Sequence, residues 1–295
     1  MKFKFDRHTR RKLLSHTVAV LSGLTVIAVL YPLVSIVYEA VIRGGGVLFQ
    51  WTFLTAKPPN ACDVVSCSTV GIGPAIQGSL LVVAIASLIA VPVGLMAAIL
   101  ASEYRTRGFG RAVSFTADVL TGVPSIIMGA FVWGYFVLYD PSIAESVIAG
   151  GIALSAIMTP IVARTTEEAL RTVPNAMREA AIALGISKWK MTLRIVLIAA
   201  LPGIATGVLL AVMRAMGEAA PLLLTLGYTT NYNHSLLQPA AALPVLIYTF
   251  AESNYSNQQE VAWGATLFLL MFILAANILS RYMIHRLSQR MSGGA

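Results

Sequence analysis

The chain has 295 residues, 57% hydrophobic and 12% charged, with 21 Lys/Arg against 13 Asp/Glu. A soluble domain of this length needs roughly twice that charged fraction to cover its surface, so a soluble class is excluded. The net charge of +8 is gathered in four clusters between apolar runs, which reads as membrane topology and excludes a nucleic-acid-binding face. Non-alternating apolar runs of about 20 residues predict spanning helices, because backbone polar groups in lipid must be paired internally. The fold class is therefore an all-α polytopic membrane protein.

Residues 1–16 form a basic arm and 17–42 a first span, read as a retained signal anchor because the run is longer than a secretory signal. An external loop over 43–73 opens with Gly44-Gly45-Gly46 and contains Pro58-Pro59, both breakers. It also holds Cys62 and Cys67, which either close a small disulfide or stay as thiols, since spacing alone does not bring sulfurs together. The second span covers about 74–101 and is followed by a short basic link. The third runs from Val113 to about Tyr139, with a break predicted at Gly122-Val123-Pro124-Ser125. Asp118, just before the break, reads as an interfacial acid or a helix cap. Span four covers about 143–163, span five about 195–226 and span six 261–284, with a tail over 285–295. Residues 227–260 contain no Lys or Arg and are expected outside; their apolar piece, 236–251, is short for a span and is expected to be re-entrant or interfacial.

Basic residues cluster in the arm, in the link (Arg105, Arg107, Arg111), in the polar stretch 164–194 and in the tail, whereas the opposite side carries Arg43 and Lys57. This bias predicts cytoplasmic termini and six spans in a cell membrane.

The polar stretch 164–194 is an elbow. Met177, Ala180, Ala181 and Leu184 recur at helical spacing as one apolar stripe, Pro174 suits the first turn, and Gly185 stands where a left-handed residue ends a helix. Ser187 is placed to cap a second helix holding Lys188, Trp189 and Lys190. Such an amphipathic piece either lies on lipid headgroups or docks in a groove of a soluble partner. Within span five, Arg214 and Glu218 are four apart, which predicts one helical face. Two readings stand: the pair neutralises itself and pins a helix contact, or Arg214 faces a path and meets an anion, to which a guanidinium offers a two-pronged match. His8, His16, His234 and His285 show no metal-ligand spacing, and no phosphate-binding glycine loop occurs.

REAAIALG, followed by Ile195 and Leu197, resembles the EAA signature of ABC-importer permeases. Glu179, Ala180, Ala181, Gly185, Ile195 and Leu197 match it; Ile198 stands where that signature has proline, and Pro202 follows later. The segments PAIQGSLLVVAIASLIAVPVGLMAAILASEY, GVPSIIMGAF, EEALRTVPNAMREAAIALG and MRAMGEAAPLL, in that order, resemble the A-type permease of phosphate (Pst) importers. The resemblance implies a type I, MetI-like permease core over 74–284, with the elbow as coupling helix for an ATPase through Arg178, Glu179, Ala180, Ala181 and Gly185. It implies a phosphate path through Arg214 and Glu218, in which Glu218 orients the guanidinium. It further implies a C-type permease partner, an ABC ATPase pair that carries the ATP and Mg, and an extracytoplasmic phosphate-binding protein. This chain itself would then be no enzyme and bind no cofactor. The alternatives are a permease of the same architecture for another oxyanion or solute, and a secondary carrier or membrane scaffold.

Overall fold

The computed structural model describes residues 7–59, 70–104 and 108–292. Cys62, Cys67, Arg105 and Arg107 lie outside the described residues, as do Lys2 and Lys4 of the arm. The described residues form helices α1 (Arg7–Leu48), α2 (Trp51–Thr55), α3 (Gly73–Glu103), α4 (Phe109–Thr121), α5 (Ser125–Tyr139), α6 (Val147–Arg171), α7 (Asn175–Ala183), α8 (Lys188–Met191), α9 (Leu197–Met216), α10 (Leu222–Thr225), α11 (Leu243–Ala251) and α12 (Ser256–Ser292). Five helical stretches are long and apolar enough to cross a membrane: 14–48, 73–103, 147–171, 188–216 and 256–282. The pair α4–α5 passes the same test but is bent by 99° at the predicted break, so the expected third span is two helices. Counted as one broken span, it brings the total to the six expected.

The central contact is α3 against α6. Ala86, Ala90, Gly94 and Ala98 repeat every fourth residue and are all buried, as are Ala149, Gly150, Gly151 and Ala153 at the start of α6. With lipid on the outside, apolar burial drives little association, and small side chains instead let two helices approach until van der Waals contact holds them. Val82, Leu154, Met158 and Val162 fill the seam.

The start of α6 is capped by irregular chain. Ser146, Val147 and Ile148 donate N–H to the carbonyls of Thr225, Gln238 and Leu236 at 3.0, 3.2 and 3.1 Å, and the Ser146 hydroxyl accepts from Ala149 N–H at 3.1 Å. The donors that a helix start leaves unpaired are thereby satisfied. Gln77 of α3 holds the same segment, exchanging two 2.9 Å bonds with the backbone of Asn233. The expected apolar piece 236–251 is thus divided: 236–242 crosses the helix ends as irregular chain that begins in a turn, and α11 is a short helix with Leu243, Val245, Leu246 and Phe250 buried.

Several boundaries differ from expectation: α6 continues to Arg171, into the stretch expected to be elbow, α9 stops at Met216 instead of near 226, and α1 runs past 42. The Gly44-Gly45-Gly46 run does not break the chain; α1 continues through it to Leu48. A β-carbon on Gly44 would lie 2.6 Å from the Trp263 carbonyl oxygen of α12, whereas Gly45 and Gly46 face open space. Glycine here serves close helix approach rather than a turn. We therefore expect Gly44→Leu to lower stability in detergent by about 1–3 kcal/mol through overpacking, with Gly45→Leu near neutral, as read by thermal unfolding.

Candidate functional site: the elbow and the Arg214 cleft

The elbow leaves the end of α6 through Thr172–Pro174. Proline occupies the N-cap of α7 with φ −60° and ψ 140°, one position before the first turn expected. α7 ends in two interlocked bonds, Gly185 N–H to Ile182 O at 2.9 Å and Ile186 N–H to Ala181 O at 3.1 Å, with Gly185 at φ +76°. A side chain is disfavoured at that angle, so the glycine stop read from the sequence is correct. Ser187 does stand at the N-cap of α8, yet its hydroxyl makes no capping bond. A π-helical turn over Thr192–Val196 joins α8 to α9, so the elbow runs into the span without the proline that the EAA signature places at 198.

The apolar stripe is not packed on this chain. Only Ala181 is buried; Met177, Ala180 and Leu184 are exposed, Leu184 by 80%, and so are Ile182 and Trp189. Glu179 and Gly185 are exposed on the same elbow. Arg178, expected among the docking residues, turns inward instead: it pairs with Glu103 of α3 at 2.9 Å and donates to the Leu170 carbonyl at 2.8 Å. Its neighbours in the sequence gave no sign of this, because the partner carboxylate lies 75 positions away.

The second region surrounds Arg214. The expected i, i+4 pairing with Glu218 does not form: α9 stops at Met216, Gly217 closes the last turn, and Glu218 lies beyond it. No ion pair or hydrogen bond joins the two, so Glu218 does not orient the guanidinium here. The cause is local. Gly217 and Pro221 are the first and last residues of the connection 217–221, which the helical period cannot cross. Arg214 is exposed and, among the described residues, makes no ion pair. It lines two cavities: a cleft of 770 Å³ with Asp118, Thr121, Arg164, Thr165 and Asn277, and a smaller one of 210 Å³ formed by the α4–α5 break, Met128 and Ile157. Glu218 lines neither.

Residues that the sequence did not single out organise the cleft wall. Glu167 of α6 is 1% exposed and accepts from Ser114 of α4 at 2.8 Å, from Arg164 at 2.9 Å and from Arg171. Arg164 also pairs with Asp118, which is neither a cap nor a free interfacial acid but a strut between α4 and α6. The signal available in the sequence was Arg164, Glu167 and Arg171 at three- and four-residue spacing on one helix face. Among the described residues no group of His, Cys, Asp or Glu could hold a metal ion.

Spanning helices, one of them broken, with a helix–glycine–helix elbow between two spans and an arginine facing a cleft, define a membrane permease. The fold agrees with solved permeases. A bacterial alginate ABC transporter superimposes with a TM-score of 0.65 over 96% of this chain and 98% of its own at 14% identity, and the MetNI methionine ABC transporter with 0.60 over 72% and 95% at 17% identity. Residues 90–293 match the family of binding-protein-dependent transport system inner membrane components. The phosphate transport system permease protein PstA of Yersinia pestis is 38% identical over 284 residues, 95% of this chain and 93% of that one. PstA of Mycobacterium leprae is 40% identical over 76% and 73%, and the probable PstA of Methanocaldococcus jannaschii 35% identical over 89% and 90%. The chain belongs to the binding-protein-dependent transport permeases and, within them, to the PstA family.

The Glu167 network generates a stability test. Glu167→Ala leaves Arg164, Arg171 and Ser114 without their shared acceptor and is expected to cost about 2 kcal/mol, the range of hydrogen bonds to charged groups. Asp118→Asn, half exposed, is expected to cost under about 1 kcal/mol. Denaturant unfolding of the purified chain in detergent separates the two.

Proposed function

We propose that this chain is the A-type permease subunit of an ATP-driven importer of inorganic phosphate, forming one half of the solute path. The observation that carries the reading is Arg214, a guanidinium that has no carboxylate partner among the described residues and lies beside a break in a span. A charge at mid-membrane costs about 2.5–3.5 kcal/mol on insertion scales, so Arg214 calls for water and an anion in the cleft it faces. Guanidinium and phosphate match through two parallel N–H···O bonds. The smaller cavity adds the start of α5 at Ser125, where unpaired backbone N–H groups favour negative charge. Both features suit an oxyanion; the kinship with PstA proteins selects phosphate over other oxyanions.

The elbow is the handle. Its uncovered apolar face, with Glu179 alongside, fits the helix-in-groove mode of docking rather than a stripe already satisfied by this chain. The groove belongs to a separate ATPase, which binds ATP and Mg²⁺; this chain is not itself an enzyme and needs no cofactor. In this reading elbow and termini face the cytoplasm, as the distribution of basic residues indicates. A C-type permease completes the path, and a phosphate-binding protein docks at the opposite end, on 43–73 and 227–260. Closure of the ATPases on ATP draws the elbows together and opens the path outward.

Two variants test the reading in the reconstituted complex. Arg214→Ala, with all subunits retained, is expected to reduce phosphate uptake at least about tenfold, the loss of one charged hydrogen-bonded contact; undiminished uptake removes Arg214 from the path. Glu179→Lys is expected to release the ATPase from detergent-purified complexes, and full retention of that subunit would show that the elbow is not its seat.

A further inference from the structure

Neither docking nor the path accounts for Glu103. It is the last residue of α3, its side chain is 4% exposed, and a carboxylate there faces the negative end of its own helix. Two elbow cations relieve this. Arg178 bonds the Glu103 carboxylate through Nη2 at 2.9 Å and Nε at 3.3 Å, while Lys188 Nζ donates to the Glu103 backbone carbonyl at 2.5 Å and lies 4.5 Å from the centre of the Tyr104 ring. The same guanidinium donates to the carbonyls of Leu170 and Val173, at 2.8 and 2.5 Å, where α6 ends. One side chain therefore ties α7 to the ends of both central helices, which the planar fork of arginine allows and the single ammonium of lysine does not.

Besides the chain connections at its two ends, the elbow is held by a small apolar cluster in which Ala181, Met191 and the partly buried Ile186 meet Ala98, Leu170 and Val173. α7 buries only Ala181 and α8 only Met191. Apolar contact of that extent holds a helix weakly, and a push on the exposed face would slide α7 across α3 and α6 unless a polar link moved them with it. We infer that Arg178, with Glu103 and Lys188, is a positioning clamp that converts displacement of the elbow into movement of α3 and α6, and so of the α9 segment bearing Arg214. Arg178 acts here on the inner side of the elbow, not on the ATPase.

The inference rests on the coupling role proposed for the elbow, and its test separates the two. Glu103→Gln keeps size and an acceptor oxygen while removing the charge; Arg178→Lys keeps the charge while losing the fork. Each is placed in the complete complex in proteoliposomes with its binding protein, and three quantities are read: ATPase retained on purification, ATP hydrolysed, and phosphate moved per ATP. Both variants are expected to retain the ATPase and to hydrolyse ATP within about twofold of wild type, while phosphate moved per ATP falls about tenfold, within the usual range of coupling between sites. An unchanged ratio in either variant overturns the clamp. Loss of the ATPase also overturns it, because these residues would then shape the docking surface rather than transmit from it. A wild-type complex that carries no ATPase would instead remove the reading on which the clamp rests.

Discussion

The close approach of α3 and α6 is the constraint on which the other features depend. Both helices present alanine and glycine where they meet, so side chains of one seat directly on the other: a β-carbon on Gly94 would lie 2.8 Å from the Val162 side chain and one on Gly151 2.5 Å from that of Ile85. Each functional part hangs from this pair. At one end, the 227–242 segment completes the hydrogen bonding of the α6 start and is gripped by Gln77 of α3. At the other, the elbow is continuous with α6 and bonded to the last residue of α3. Along the side, α9 packs on α6 and carries Arg214, while Glu167 fastens α4 to the same helix. A rigid pair with attachments at both ends is suited to relaying motion.

The polar features follow the economy of charge in lipid. Irregular backbone at membrane depth is tolerated only where it is buried in protein or lines a cavity, and the α4–α5 break borders the smaller cavity. Buried carboxylates are each matched: Glu167 has three donors, and Glu103 has Arg178. Among the described arginines that line the cleft, Arg164 is paired with Asp118 and Glu167, whereas Arg214 makes no ion pair and is the one that two cavities share. Compensation elsewhere throws its exception into relief.

Much of this was legible in the sequence, for reasons that differ from element to element. Spans are long apolar runs, and lipid allows such runs few structures, so their number and the site of the break could be read directly. The glycine stop at Gly185 was legible because the left-handed angle has a residue signature. The errors have a common origin in contacts between distant segments. Gly44 looked like a turn residue, and only its neighbour Trp263 shows that it is a packing residue. Arg214 and Glu218 have helical spacing, but the chain leaves the helix between them. Arg178 belongs to the EAA stretch, yet its partner is Glu103, on another helix. The stripe of α7 was recognised as apolar, but whether this chain covers it was a question of tertiary structure. The clustered basic residues, by contrast, bear on orientation, a property of the membrane rather than of internal contacts.

The central claim is that nucleotide chemistry on a partner, delivered through the elbow, drives phosphate along the Arg214 cleft. Its most direct measurement is the accumulation of labelled phosphate by vesicles holding the whole complex, with ATP enclosed on the elbow side and binding protein on the other. Phosphate is expected to accumulate against the gradient when ATP is enclosed and not when it is replaced by a non-hydrolysable analogue. Equal accumulation in both cases, or accumulation driven by an ion gradient alone, would contradict it.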